Sequence, residues 1–243
     1  MTLSSLRTLV QRRLTLQLGL WVLFCTLPAL LLSGWLLAAV YTSMTRIVSA
    51  AAQATATHAL DTLDRLVFER YGDAITYSRL PAVRAMDRAA LPAMADLLVT
   101  TYAPYYRLVL VADRQGRIVA ANRVDGAGRP IPSGRLLGRS VAGESWFADT
   151  QQGASPVRVD DFHVDPLVHA VYGDQQPVMS FSAPIRTGTG EVVGVWSARL
   201  AMGPLADSVA GLSARGTPET PMPLVLLNGQ GQEILRSAWP VIE

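Results

Sequence analysis

The spacing of apolar residues divides the chain into a membrane-type segment, a helical region and a region of short strands. No charged residue occurs from 14 to 45, and residues 18–41 are long enough to cross a bilayer as one helix. From Arg46 to about Arg79, apolar residues recur at steps of three and four, which predicts a long amphipathic helix. Pro81 is expected to end it, and a second helix is predicted from Asp87 onward.

The charges beside the apolar segment predict its orientation. Arg7, Arg12 and Arg13 precede it, and an excess of basic residues marks the cytoplasmic side of a membrane helix. Residues 1–17 are therefore predicted to be cytoplasmic, residues 18–41 transmembrane, and the remainder exported. The alternative is a cleaved signal peptide, but the apolar core of such a peptide normally has only about 7–15 residues.

The pattern changes to short strands at Tyr105. Two strands, 108–111 and 118–121, are predicted on either side of the turn Asp-Arg-Gln-Gly. The stretch "ESWFADTQQG" predicts a short helix that Gly153 ends, and "SPVRVDDFHVDP" predicts a strand and a loop. Residues 177–200 predict a β-hairpin around Thr-Gly-Thr-Gly. Helices together with antiparallel hairpins predict the α+β class.

The last strand of this hairpin carries a charge among apolar residues. Alternation places Arg199 on one face with Val193, Val195 and Ser197, while Trp196 lies on the other. The alternation leaves open which face meets a pocket.

The end of the chain repeats an earlier hairpin. "LVLLNGQGQEIL" (224–235) matches "VLVADRQGRIVA" (109–120) at a constant offset of 115 residues, so that Gly231 aligns with Gly116. A chance match is one explanation. The other is that residues 222–243 begin a second, similar lobe, after a short helix and a Pro-rich linker over 204–221. The chain ends too soon to complete such a lobe, so we expect the sequence to be a fragment of a longer protein.

Composition argues against nucleic-acid binding. All 21 basic residues are arginine, and those after Thr45 are nearly balanced by the 19 acidic residues. The single cysteine, Cys25, excludes both a disulfide framework and a cysteine metal site.

No motif for catalysis occurs. The chain has no G-x-S-x-G and no phosphate-binding loop. The stretch "DDFHVDPLVHAVYGD" is rich in Asp and His but lacks the spacing of a metal site, so we predict a solvated loop over a pocket. Catalytic residues, metals and cofactors are therefore not expected.

The order of these elements resembles the extracytoplasmic Cache sensor domains of bacterial receptors, in the double-Cache arrangement. The stretches that carry the resemblance are "LVLVADRQGRIVAANRVDGAGRPI", "LLGRSVAGESWF", "DPLVHAVYG" and "MSFSAPIRTGTGEVVGVWSARL". The resemblance implies that residues 46–203 form a long helix and a membrane-distal, PAS-like antiparallel lobe. It also implies a small-molecule ligand, a homodimer in the inner membrane, and an output module inside the cell.

The function implied by the resemblance is ligand sensing, most often for chemotaxis. A histidine kinase or a diguanylate cyclase would have the same kind of sensor. Two other hypotheses are a dimerisation module that binds no ligand and an anchored enzyme with an acid/base pair in residues 160–174.

The resemblance also implies where a ligand would bind. Amino-acid-sensing members carry Arg two residues before a Trp-aromatic pair and Asp near the end of the last pocket strand, whereas this chain has Glu144 and Arg199. The inverted charges favour a carboxylate-bearing or other polar ligand on Arg199, held by two hydrogen bonds. The alternatives for Arg199 are a salt bridge to Glu144 and an outward strand position. The predicted ligand contacts are Arg199, Trp146, Phe147, Tyr106, Asp161, Asp165, Tyr172 and Phe181.

Overall fold

The computed structural model describes residues 3–153, 155–204, 206–207, 211, 225–227 and 229–236. It consists of two compact units, residues 1–54 and 55–243. The short helix and linker predicted over 204–221 lie largely outside the described residues.

A single helix, α1, runs from Leu3 to Ser78 and joins the predicted membrane segment and the predicted long helix without a break. Pro28 lies inside it. The described part of the chain has one helix long and apolar enough to cross a membrane, with a mean hydropathy of 2.1 in its apolar window. Large apolar side chains such as Trp21, Phe24 and Leu37 are exposed there, which fits a lipid-facing surface.

Two shorter helices follow α1, and the second begins later than predicted. Helix α2 covers Pro81–Arg84 and α3 covers Leu91–Thr101. The predicted start at Asp87 was wrong, because the Asp87 carboxylate accepts hydrogen bonds from the N–H groups of Ala89 and Ala90. That arrangement forms a local turn instead of a helix.

The centre of the lobe is a five-stranded antiparallel sheet, as the α+β prediction requires. Its strands lie in the spatial order β2-β1-β5-β4-β3, so β2 and β3 are the outer strands. The bounds are β1 Tyr106–Asp113, β2 Ile118–Ala121, β3 Arg158–His163, β4 Val178–Arg186 and β5 Val192–Ala201. Helix α4 covers Ser145–Gln152 and α5 covers Pro166–Tyr172, and a 3-10 turn covers Ser133–Leu136.

Helices cover both faces of the sheet. Val109, Phe181 and Trp196 face α1 and α3 within one apolar core. Leu108 and Val195 face α4 and α5 within a second. The alternation predicted for β5 is therefore confirmed from Val195 to Leu200, and Arg199 belongs to the face that α4 and α5 cover. Val193, which was predicted on that same face, packs against the α1/α3 core instead.

The repeat seen in the sequence is also present in the backbone. Strands β6 (Val225–Leu227) and β7 (Glu233–Arg236) form an antiparallel hairpin. The residue pairs between β6 and β7 equal those between β1 and β2 when 115 is added to each number. The register shifts after Val111–Ala120 in the first hairpin and after the equivalent pair, Leu226–Leu235, in the second. Gly116 and Gly231 have φ values of 75° and 77°. The hairpins are thus repeated, while the second lobe stays a prediction.

Candidate ligand-binding site

A row of polar side chains crosses the sheet on the face covered by α4 and α5. Asp160 in β3 pairs with Ser180 in β4, and Ser180 pairs with Arg199 in β5. Directly paired residues in neighbouring strands point to the same face. Arg199 also pairs with Leu108 of β1, which lies in the α4/α5 core. The polar row therefore faces the interior of the lobe.

Arg199 lies at the buried end of the row, with 0% of its surface exposed. Its Nε donates a hydrogen bond to Asp165 Oδ2 at 2.9 Å, and its Nη1 donates to Ser197 Oγ. Its guanidinium carbon lies 4.7 Å from the centre of the Trp146 ring, within cation–π range. The predicted alternative of a salt bridge to Glu144 was wrong, because the partner of Arg199 is Asp165.

Asp165 is held in place by the start of α5. Its Oδ1 accepts hydrogen bonds from the backbone N–H groups of Leu167 and Val168 at 2.7 and 3.0 Å. Asp is a favoured N-cap, and Pro166 fits the first helical position. Burial alone would raise the pKa of Asp165, but the Arg199 charge and these bonds hold that pKa well below its usual range. Asp165 is therefore ionised at neutral pH.

His163 stands beside this ion pair. Its Nδ1 is 2.8 Å from the backbone oxygen of Asp161, and its Nε2 is 3.7 Å from Asp165 Oδ2. The Asp165 carboxylate raises the pKa of His163 above its usual value, although burial acts in the opposite direction.

A cavity of about 210 Å³ lies over these residues, enclosed by β3 and the N-terminal ends of α4 and α5. Its charged and aromatic lining consists of Arg139, Glu144, Trp146, Asp160, His163 and Asp165. Three carboxylates therefore share the cavity with one arginine and one histidine, so it offers sites for both positive and negative groups.

Three polar atoms of the row have no hydrogen-bond partner in the described part of the chain. They are Asp160 Oδ2, Ser180 Oγ and Arg199 Nη2, and all three atoms are buried. Asp160 uses its other oxygen to accept a hydrogen bond from Arg158. Most buried polar atoms in proteins are hydrogen-bonded, and leaving one unpaired costs about 1–3 kcal/mol. Three such atoms in one row make it a candidate binding site.

Two of the predicted contacts line this cavity, and two more contact those two residues. Trp146 and Asp165 line it, and Arg199 lies beneath both of them. Phe147 is buried in the core under α4, with its ring centre 6.0 Å from that of Trp146. Phe147 therefore belongs to the core and does not line the cavity.

The other four predicted contacts are not brought to the cavity. Phe181 follows Ser180 in β4 and so points to the α1 face. Tyr106 also faces α1, because the register of β1 shifts between residues 106 and 108, and its hydroxyl donates to Asp73. Tyr172 donates to the backbone oxygen of Arg107. Asp161 is exposed and accepts a hydrogen bond from Gly229 N at 3.0 Å.

Sequence reasoning missed several members of the site. Asp160 and His163 were noted only as part of a crowded loop, although Asp160 lies on a strand. The alternation of Ser180 and Ser182 inside the apolar strand β4 was the signal for a polar face. Arg139 has no comparable signal in the sequence. Among the described residues, no three His, Cys, Asp or Glu side chains are grouped so that they could hold a metal ion.

Solved structures with the same fold are sensor domains of bacterial chemoreceptors. The ligand-binding domain of the Campylobacter jejuni chemoreceptor Tlp3 in complex with L-valine has a TM-score of 0.55 and 13% identity, over 81% of this chain and 72% of that chain. The ligand-binding domain of the Pseudomonas fluorescens chemoreceptor CtaA in complex with L-serine has a TM-score of 0.51 and 16% identity, over 73% of this chain and 66% of that one.

These similarities define the class of fold. No protein-family model matches the chain, and no curated protein matches it in sequence. At the identities found, a structural match shows a shared fold and leaves the ligand open. The fold is that of chemoreceptor ligand-binding domains, which confirms the predicted resemblance to Cache-type sensor domains.

Proposed function

We propose that this chain is the extracytoplasmic ligand-sensing region of a bacterial membrane receptor. The observation that carries the proposal is the row Asp160–Ser180–Arg199, which has three unpaired polar atoms and contributes Asp160 to the lining of a cavity. The shared fold and the exposed apolar segment of α1 support it. The site contains no arrangement that favours catalysis over binding.

The chemistry of the cavity favours a ligand with both a donor and an acceptor group. Asp160 Oδ2 is available to accept a hydrogen bond from a ligand, whereas Arg199 Nη2 and the Arg139 guanidinium are available to donate one. Two of the three guanidinium nitrogens of Arg199 are already bonded within the lobe. A carboxylate held by two Arg199 hydrogen bonds, as the sequence led us to expect, would have to displace Asp165 or Ser197. A small polar ligand with a single contact to Nη2 fits better.

The proposed signal starts in β5. Arg199 lies on the face of the sheet that carries the cavity and contacts two of its lining residues, Asp165 and Trp146. Its neighbours Ala198 and Leu200 lie in the core shared with α1. A ligand shifts the equilibrium between two states of the lobe only by its difference in affinity for them. Helix α1 continues into the apolar segment, so it provides the covalent path to the membrane. The N-terminus inside the cell, a homodimer and a second lobe starting at 222 belong to the same proposal.

The preferred output is chemotaxis, because the structures with the same fold are chemoreceptor domains. A histidine kinase or diguanylate cyclase output is the alternative. The sequence of the gene downstream of the codon for Glu243 distinguishes these outputs directly.

A ligand screen tests the proposed function. The whole chain in detergent micelles is screened by thermal unfolding against organic acids, amino acids, amines and purines, since a ligand that binds the folded state raises the Tm. We expect a compound that stabilises the wild type and binds Asp160→Asn at least about tenfold more weakly, because a charged hydrogen-bond acceptor is lost. Asp61→Asn, at an exposed position of α1, is the matched control. Equal shifts in both variants would contradict the proposal.

A further inference from the structure

A second cavity lies at the end of β4, beside the end of α1 and helix α2. Its volume is about 490 Å³, and it shares no lining residue with the candidate ligand cavity. Arg79, Arg84 and Arg186 line it, together with Ser78, Ser155 and apolar residues. No Asp or Glu contributes to the described lining. The cavity therefore combines three positive side chains with no negative one.

Two of these arginines are anchored by single hydrogen bonds to the backbone. Arg84 Nε donates to the Arg186 carbonyl oxygen at 2.9 Å, and Arg186 Nη1 donates to the Gly190 carbonyl oxygen at 2.9 Å. The remaining guanidinium nitrogens make no other hydrogen bond within the described residues. The two side chains are thus partly fixed while most of their donors stay available to a ligand.

Gly153 makes room for this arrangement. A Cβ atom at this position would collide with Arg186 Nη2, so the guanidinium lies directly against the glycine backbone. Gly153 also ends α4 in the left-handed region, with φ of 70°. The same residue therefore ends a helix and admits the Arg186 head group.

The three positive charges have no counter-charge in the described part of the lobe. None of Arg79, Arg84 and Arg186 forms an ion pair there, whereas Arg107 and Arg123 pair with aspartates. All three arginines are exposed, so water screens much of the repulsion between them, and a bound anion removes what remains. Guanidinium groups also match the geometry of carboxylate, phosphate and sulfate oxygens.

We propose that this arginine cavity binds a small oxyanion, independently of the candidate ligand cavity. The bound group is a phosphate, a sulfate or a carboxylate. Because Arg79 follows α1 and Arg186 ends β4, the anion connects the end of the long helix to the sheet. It therefore stabilises the folded lobe whether or not the other cavity is occupied.

Titration with inorganic phosphate and, separately, with malonate tests the proposal. The whole chain in detergent micelles is followed by thermal unfolding and by calorimetry, with sodium chloride holding the ionic strength constant. We expect a saturable rise in Tm with at least one of the two anions, and the tighter anion identifies the preferred oxygen chemistry. General salt exclusion also stabilises proteins, but that effect does not saturate.

Single Arg→Gln substitutions show which cavity the anion occupies. Arg84→Gln and Arg186→Gln should each weaken the anion at least about tenfold, since each removes a charge-assisted hydrogen bond. Arg79→Gln should also weaken anion binding, and it breaks no described side-chain hydrogen bond. This variant therefore still tests the proposal if Arg84→Gln or Arg186→Gln misfolds. Arg135→Gln, an exposed arginine outside both cavities, should behave like the wild type.

Two results would overturn the proposal. One is a non-saturating effect of equal size in all variants, which indicates salt exclusion alone. The other is loss of anion binding in Arg139→Gln but not in the three arginine-cavity variants, which places the anion in the candidate ligand cavity. Neither result bears on whether that cavity binds its own ligand.

Discussion

At the scale of single residues, the lobe depends on the buried ion pair of Arg199 and Asp165. Both side chains are almost completely removed from solvent. A charge in such a place is stable only while it is paired and hydrogen-bonded. The pair therefore fixes the position of Trp146 and the start of α5, which together cover the cavity.

Asp165→Asn should destabilise the protein strongly. Asn is as good an N-cap as Asp, so the substitution keeps the start of α5 and leaves Arg199 buried without its counter-charge. Loss of one partner of a buried pair costs about 3–5 kcal/mol. Urea unfolding of the whole chain measures the loss, and Asp174→Asn, in the more exposed pair with Arg107, should cost much less. Equal losses in the two variants would show that the buried pair has no special role.

The pKa of His163 should depend on the Asp165 carboxylate of the same ion pair. The Asp165 carboxylate raises the pKa of His163 in the folded state, so protonated His163 stabilises the fold. This contribution to folding stability is fully present below the usual histidine pKa of about 6.5, and it is lost as the pH rises through the pKa of His163 in the folded protein. An NMR titration, with His163→Gln used to assign the signal, should give a pKa above about 6.5. In Asp165→Asn it should fall. A wild-type value at or below the usual one would contradict this account.

The residues of the site could be predicted only in part. The alternation of β5 predicted the face of Arg199, because strand periodicity is a local property. Its partner Asp165 lies 34 positions away, and the contact depends on how α5 packs over the sheet. The placement of Tyr106 was unpredictable for a related reason, since an irregularity in β1 reverses the alternation.

At the scale of elements, the hairpin β1–β2 shows why local turn chemistry was predictable. Asp113 accepts hydrogen bonds from the N–H groups of Gln115 and Arg117, and Gly116 adopts a φ of 75°. Asp and Gly are the residues that such a turn requires. The prediction failed where a similar Asp-capped turn, at Asp87, competed with the start of a helix.

Gly116→Ala should destabilise more than Gly128→Ala. Both glycines have left-handed φ values, 75° and 76°, which cost a residue with a side chain about 1–2 kcal/mol. A Cβ at Gly116 would also lie 2.8 Å from the backbone of Ala142, whereas one at Gly128 would meet nothing within 4 Å. Chemical denaturation of the two variants measures the difference. Equal losses would show that the loop at Ala142 moves away freely.

At the scale of the whole molecule, the sequence was most informative about the long apolar segment of α1 and the class of fold. The apolar segment could be recognised from the length and composition of one helix alone. The fold class was predicted from the order of helices and hairpins along the chain, and the overall fold is shared with the chemoreceptor domains. The cavities were not predictable, because each gathers residues from four or more separate stretches of the chain.

Calorimetric titration of the compound that best stabilises the wild-type chain tests directly whether a ligand binds through the polar row Asp160–Ser180–Arg199. We expect one saturable site in the wild type, binding at least about tenfold weaker in Asp160→Asn, and unchanged binding in Asp61→Asn. Unchanged affinity in Asp160→Asn would contradict this expectation, because the ligand would then bind without using the polar row that defines the site.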